Sequence, residues 1–281
     1  MASAEMPSIK EQVPVDQLPS YKRPPVVETA IGVQFQALKL FRNVHLWEFW
    51  FGIRDEYPET QDQEPLDQKT ELFGDDIQRG PQLPQIQYRA HASRLQACKE
   101  DRHEMVQIQN GRFVFNWRRL EGGKYPRWTR TSAEFWVKYR LFTEYIGEKK
   151  LGDIIPNQWE VTYVNHLMQG QDWQTEADWP ELLPGILGES GRVTSGTLEA
   201  VDYTTQFALK DGRSRLHIEV KKAALAKNPE QELLVLTLTA RGGIASERTL
   251  EDCLLDGRRA IVTSFTEITG DAAHERWERT K

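Results

Sequence analysis

A chain of 281 residues with 39% apolar and 10% aromatic content can bury a substantial core, which excludes a wholly disordered polypeptide. Its 36 basic and 42 acidic residues leave a net charge of -6, which argues against a general nucleic-acid coat but leaves room for a local basic patch. No run of about eighteen apolar residues occurs, the start of the chain lacks the pattern of a signal peptide, and Cys98 and Cys253 stand far apart. The expectation is therefore a cytoplasmic protein with no membrane contact, no disulfide framework and no zinc site.

Residues 1–22 are polar and punctuated by Pro7, Pro14 and Pro19, the composition of a flexible arm, until Pro24 and Pro25 impose an extended path. Val27, Thr29, Ile31, Val33 and Phe35 then alternate with Glu28, Ala30, Gly32 and Gln34, predicting a strand over 26–35 with one face buried. Over 40–57, Val44, Trp47, Phe51 and Arg54 recur at helical spacing behind Asn43 as a cap, which predicts an amphipathic helix. Between 55 and 76 nine carboxylates stand against one lysine, with Pro58 and Pro65 among them, the composition of a long acidic loop. Strands are predicted over 87–99, 105–109 and 112–120, the last two joined by the hairpin dipeptide Asn110-Gly111. A capping box at Thr131 and Glu134, followed by Phe135, Tyr139, Phe142 and Ile146 on one face, predicts a helix over 132–146.

The remaining chain repeats this order. A strand over 158–168 precedes a truncated helix over 179–187, broken by Pro184 and Gly185. Strands follow over 197–209, 215–225 and 233–241, the first two linked by Asp211-Gly212. A closing helix over 247–268 carries Leu250, Leu254, Ile261, Phe265 and Ile268 behind Ser246 as a cap. Each half reads strand, helix, three strands, helix, so element order suggests an internal duplication although residue identity between the halves is negligible. The fold class is α+β: two tandem units, 23–150 and 151–281, packed as one compact body and forming an antiparallel sheet covered by helices on one face. The uncovered face is the natural binding surface.

Four passages carry a family resemblance through their order and spacing. They are RPPVVETAIGVQF at 23–35, VQIQNGRFVFNW at 106–117 with Tyr125-Pro126 after it, VTYVNHL at 161–167, and DGRRAIVTSFTEIT at 256–269. The chain resembles a sporadically distributed bacterial family of unknown function, which usually has a histidine where this chain has Gly257 or Arg258. The resemblance implies a shared domain and no established activity, so it carries over no catalytic residue. Its sporadic distribution suggests horizontal transfer and a defence or toxin-related setting.

Two constellations bear on function. On the predicted hairpin, Phe113, Phe115 and Trp117 share one side, and Arg112, Arg118, Arg119, Lys124, Arg127 and Arg130 surround them. An open sheet of this kind stacks bases and holds phosphates; the favoured reading is that the rings are core beneath the helix of Phe135 and Tyr139, while the arginines and the Lys124-Tyr125-Pro126 turn are left for contact. Glu28, Asn116, Asn165 and His166 are polar residues inside apolar strands, and their convergence would make a pocket in which His166 changes charge near neutral pH. The plainer alternative pairs Glu28 with Arg118 or a neighbouring arginine and lets Asn165 satisfy a backbone group.

Candidate contact residues are therefore Glu28, Asn116, Arg118, Arg119, Lys124, Tyr125, Arg127, Asn165 and His166. No catalytic set, metal-ligand pair or phosphate loop is legible, so no cofactor is expected. The leading expectation is a non-catalytic binding or adaptor protein that meets a protein partner through the sheet surface or the acidic loop. One rival is a small-molecule sensor or enzyme with a pocket between the halves centred on Glu28, Asn116 and His166. Another is nucleic-acid binding through the strip 112–130, which the acidic segment 55–76 would fold over and shield. Nothing in the sequence sets an oligomeric state.

Overall fold

The computed structural model describes residues 17–73, 93–120, 123–189 and 195–281. Among these residues nine strands form one antiparallel sheet: β1 (Val26–Phe35), β2 (Glu59–Gln63), β3 (Arg94–Cys98), β4 (Glu104–Gln109), β5 (Arg112–Arg118), β6 (Pro156–Met168), β7 (Asp202–Ala208), β8 (Ser214–Leu225) and β9 (Asn228–Gly243). Their spatial order is β2-β3-β4-β5-β1-β6-β9-β8-β7. The helices α1 (Asn43–Ile53), α2 (Arg127–Glu148), α3 (Trp179–Leu182), α4 (Leu250–Ile268) and α5 (Asp271–Arg276) lie mostly on one side of it, giving the α+β class expected. None of them is long and apolar enough to cross a membrane.

The two halves meet at the centre, where β1 sits between β5 and β6 and Ile31 lies opposite both Phe115 and Val161. The Asn110-Gly111 hairpin is built as its dipeptide demands. Gly111 takes φ +93, and Asn110 spans the two backbone groups of Leu38 with bonds of 2.8 and 3.0 Å. On the helix-facing side, Phe113 stacks on Phe142 at 5.4 Å and lies 5.5 Å from Tyr139. Phe113 and Phe115 are 0% exposed and Trp117 is 3% exposed, so the three hairpin rings are core.

Four expectations change. First, Glu59–Gln63, inside the segment read as an acidic loop, is the edge strand β2, paired with β3 from Glu59↔Cys98 to Gln63↔Arg94. It was illegible because an edge strand needs only ladder hydrogen bonds and carries no apolar alternation. Among the described residues the first half thus has four strands after its first helix and the second half has three, so the internal duplication is not confirmed. Second, the stripe of α1 that drew attention points outward: Val44 and Phe51 are 56% and 61% exposed, while Leu46, Phe49 and Ile53 turn inward and Phe49 meets Phe142 at 5.4 Å. This helix is apolar on both faces, so periodicity alone does not choose between them.

Third, the helix starts differ. His45, not Asn43, completes the cap of α1 with Arg42. The second helix starts at Arg127, which places Thr131 inside it with its hydroxyl on the Arg127 carbonyl at 3.0 Å. The fourth is capped by Thr249 with Asp252 rather than by Ser246. Fourth, the arm expected over 1–22 lies outside the described residues up to 16, whereas Leu18 and Tyr21 are buried and Lys22 N–H donates to the Glu278 carbonyl at 3.0 Å. Of the strand expected over 87–99, residues 87–92 are likewise outside the described residues.

Helix α4 rests on β6 through Gly257, where any Cβ would overlap the Trp159 ring. Alanine in a helix gains about 1 kcal/mol over glycine, but overpacking costs about 1–3 kcal/mol, so the clash decides the sign. Gly257→Ala is expected to lower the melting temperature by a few degrees in a thermal denaturation; an unchanged or higher melting temperature would rule out this close seat.

Candidate functional site

Strand alternation gives the sheet a second face that is polar throughout its middle. Gln34 of β1, Gln109 of β4, Arg112 of β5, Gln158 and Glu160 of β6, and Arg241 of β9 all point away from the main helices. Gln34, Gln109, Arg112, Gln158 and Arg241 are nonetheless buried, because residues 64–73 run across them as an extended strap. The strap belongs to no sheet, and side chains of the sheet satisfy its backbone instead.

The contacts follow the strand order. Arg94 of β3 donates to the Glu64 carbonyl at 3.1 Å. Gln109 takes the Leu66 N–H on its side-chain oxygen and gives its NH2 to the Leu66 carbonyl, both at 2.8 Å. Arg112 reaches the Asp67 carbonyl at 3.1 Å, and Gln34 grips Lys69 as Gln109 grips Leu66, at 3.0 and 2.9 Å. Arg215 of β8 donates to the Leu72 carbonyl at 2.7 Å and lies 3.9 Å over the Phe73 ring. The spacing has a simple origin. Two strand separations of ~4.8 Å match three extended residues of ~3.4 Å, so two glutamines two strands apart hold residues three apart.

At its far end the strap inserts a carboxylate among cations. Glu71 receives Arg215 at 2.6 Å, Arg241 at 2.9 Å and His217 Nε2 at 2.7 Å. Arg241 also reaches Glu160 at 2.9 Å, and Glu160 in turn holds Arg112 at 2.9 Å. Charges therefore alternate across the sheet: Arg112, Glu160, Arg241, Glu71, Arg215. Burial alone would raise the Glu71 carboxyl, but the hydrogen bonds from His217, Arg215 and Arg241 outweigh it and bring the pKa down to about 2. Of the expected shielding, one part takes another form: the cations covered are Arg112, Arg215 and Arg241, and Glu71 makes the ionic contact to the last two.

The residues singled out from sequence fall into separate groups on the two faces of the sheet. Asn116 donates to Glu28 at 2.6 Å and accepts from Gln107 at 2.7 Å, forming a network on the polar face. Burial raises the Glu28 carboxyl, against the hydrogen bond of Asn116 and the charge of Arg118. Asn165 and His166 are neighbours on one strand and so point to opposite faces; Asn165 faces the helix side and donates to the Leu236 carbonyl at 3.1 Å. Burial, reinforced by Arg119, keeps the His166 ring below its ordinary pKa. Arg118 lies 3.9 Å from the Cys98 sulfur, Arg119 donates to the Pro24 carbonyl at 2.9 Å, and Lys124 is exposed. Tyr125, Arg127 and Asn165 border a cavity on the helix side.

Sequence reasoning missed Gln34, Glu71, Gln109, Glu160, Arg215, His217 and Arg241. The available signal was strand alternation, which sets Gln34, Gln158 and Arg241 on the face opposite the apolar residues. Comparison with known proteins finds no family model, no curated protein and no solved structure that matches this chain.

A carboxyl lowered from 4.5 to about 2 stabilises the fold by about 3 kcal/mol at neutral pH. Because the folded pKa is depressed, this contribution is complete above about pH 4.5 and disappears as the pH falls towards 2. Glu71→Gln is expected to be less stable than the parent by about that amount in urea denaturation at pH 7, with the gap closing through this window. A gap independent of pH would contradict the ionic role.

Proposed function

We propose that this chain is a binding or adaptor protein for a protein partner, and that the partner lays an extended peptide across the polar face where residues 64–73 lie. The observation that supports this is the grip of Gln109 and Gln34, each taking both the N–H and the carbonyl of one strap residue. Such a grip reads main chain and admits many sequences. Glu71, two positions after the second gripped residue, is held by charge. A partner peptide is thus recognised as an extended segment with an acidic residue at that place.

In this reading the strap is an internal competitor. A tethered segment acts at an effective concentration on the order of millimolar, so a partner binds more tightly than that or meets a chain whose strap has been released. Nucleic acid is the weaker alternative, because the hairpin rings that would stack on bases are buried on the opposite face. A second observation favours a protein partner: Leu40, Val44, Trp47 and Phe51 form an outward apolar stripe on and just before α1.

The test replaces 64–73 by a glycine-serine segment of equal length and adds the labelled peptide EPLDQKTELF in trans. Fluorescence anisotropy is expected to show binding to the replaced chain, at least about tenfold weaker binding to the parent, and a similar loss when the glutamate at the Glu71 position of the peptide becomes glutamine. A replaced chain that stays folded yet ignores the peptide, or prefers single-stranded DNA with steep salt dependence, would overturn the reading.

A further inference from the structure

On the helix-covered side a cavity of about 430 Å³ opens between the 19–26 segment, the start of α2, β6 and α4. Its volume is in the range that holds a small organic ligand. Tyr125 donates to the Tyr163 hydroxyl at 3.0 Å, which leaves the Tyr163 proton free for another acceptor. Burial raises both phenols, so they remain neutral hydrogen-bond donors. Ile261, Val262 and Phe265 of α4 supply an apolar wall.

Two arginines border the same space. Arg127 donates to the Tyr21 carbonyl at 2.7 Å and holds φ 71, a left-handed conformation that is costly for a residue with a Cβ. The Arg258 guanidinium lies 5.7 Å over the Trp128 ring, and its buried Nε has no hydrogen-bond partner among the described residues. Neither arginine has a carboxylate of the described residues within ion-pair distance, whereas Arg112, Arg215, Arg241 and Arg248 all do. Two guanidinium groups without a carboxylate partner among the described residues thus stand beside phenol donors and a nonpolar wall.

We propose that this cavity is a binding site for a small organic anion, a carboxylate or phosphate on a nonpolar body, with the anion between Arg127, Arg258 and the tyrosine pair and the body against α4. Two positive charges suit a single anionic group rather than a polyphosphate. The site lies on the opposite side of the sheet from the strap, so it stands or falls independently of peptide binding.

The test is calorimetry on the full chain with 3-phenylpropanoate and phenyl phosphate as probes, and 3-phenylpropanol and inorganic phosphate as controls. At least one anionic aryl probe is expected to bind with a Kd of millimolar or better, and its controls at least about tenfold more weakly; the two aryl probes distinguish carboxylate from phosphate. Arg258→Gln is expected to weaken that probe by about tenfold or more, with its melting temperature near that of the parent, and Arg127→Gln gives an independent second variant. Absence of binding by both anionic probes up to about 10 mM, equal binding of 3-phenylpropanol, or unchanged affinity in both folded variants would overturn the assignment.

Discussion

The carboxylate of Glu71 is the contact on which the polar face depends. It belongs to the first half of the chain, yet its partners Arg215, His217 and Arg241 stand on β8 and β9 of the second. Through Arg241 and Glu160 the charge chain returns to Arg112 on β5, so it ties both halves across the central seam. Such a chain is stable only when complete, because removing one member leaves a buried charge without its partner.

The two faces of the sheet have different physical tasks. The helix side excludes water with closely packed rings and branched side chains, which supply the nonspecific stability of the fold. The strap side buries amides and charges whose desolvation is offset only when every group is matched. That side is therefore demanding about geometry, and geometry is what recognition requires. The strap meets the demand by following the strand spacing.

Features governed by neighbouring residues were legible in the sequence. The Asn110-Gly111 turn, the alternation of β1 and the core placement of Phe113 beneath α2 each follow from a few adjacent positions. The outward face of α1 was not, because two apolar stripes on one helix are equivalent until Phe142 selects Phe49. Nor was the strap, whose order comes from Gln34, Gln109 and Arg215 across separations of 35, 43 and 143 residues. Its acidic composition resembled a solvated loop, and local propensity contains no term for a sheet that supplies side-chain partners to an unpaired backbone. Of the four polar residues expected to converge, Asn165 is set apart for a simpler reason: it is adjacent to His166 on a strand, so the two cannot share a face.

Hydrogen exchange at the amides of Leu66 and Lys69 tests most directly whether the strap occupies the polar face. Both N–H groups donate to buried glutamine oxygens, so they are expected to exchange at least about a hundredfold more slowly than in an unstructured chain. Exchange of both at unstructured rates in the native protein would contradict the account.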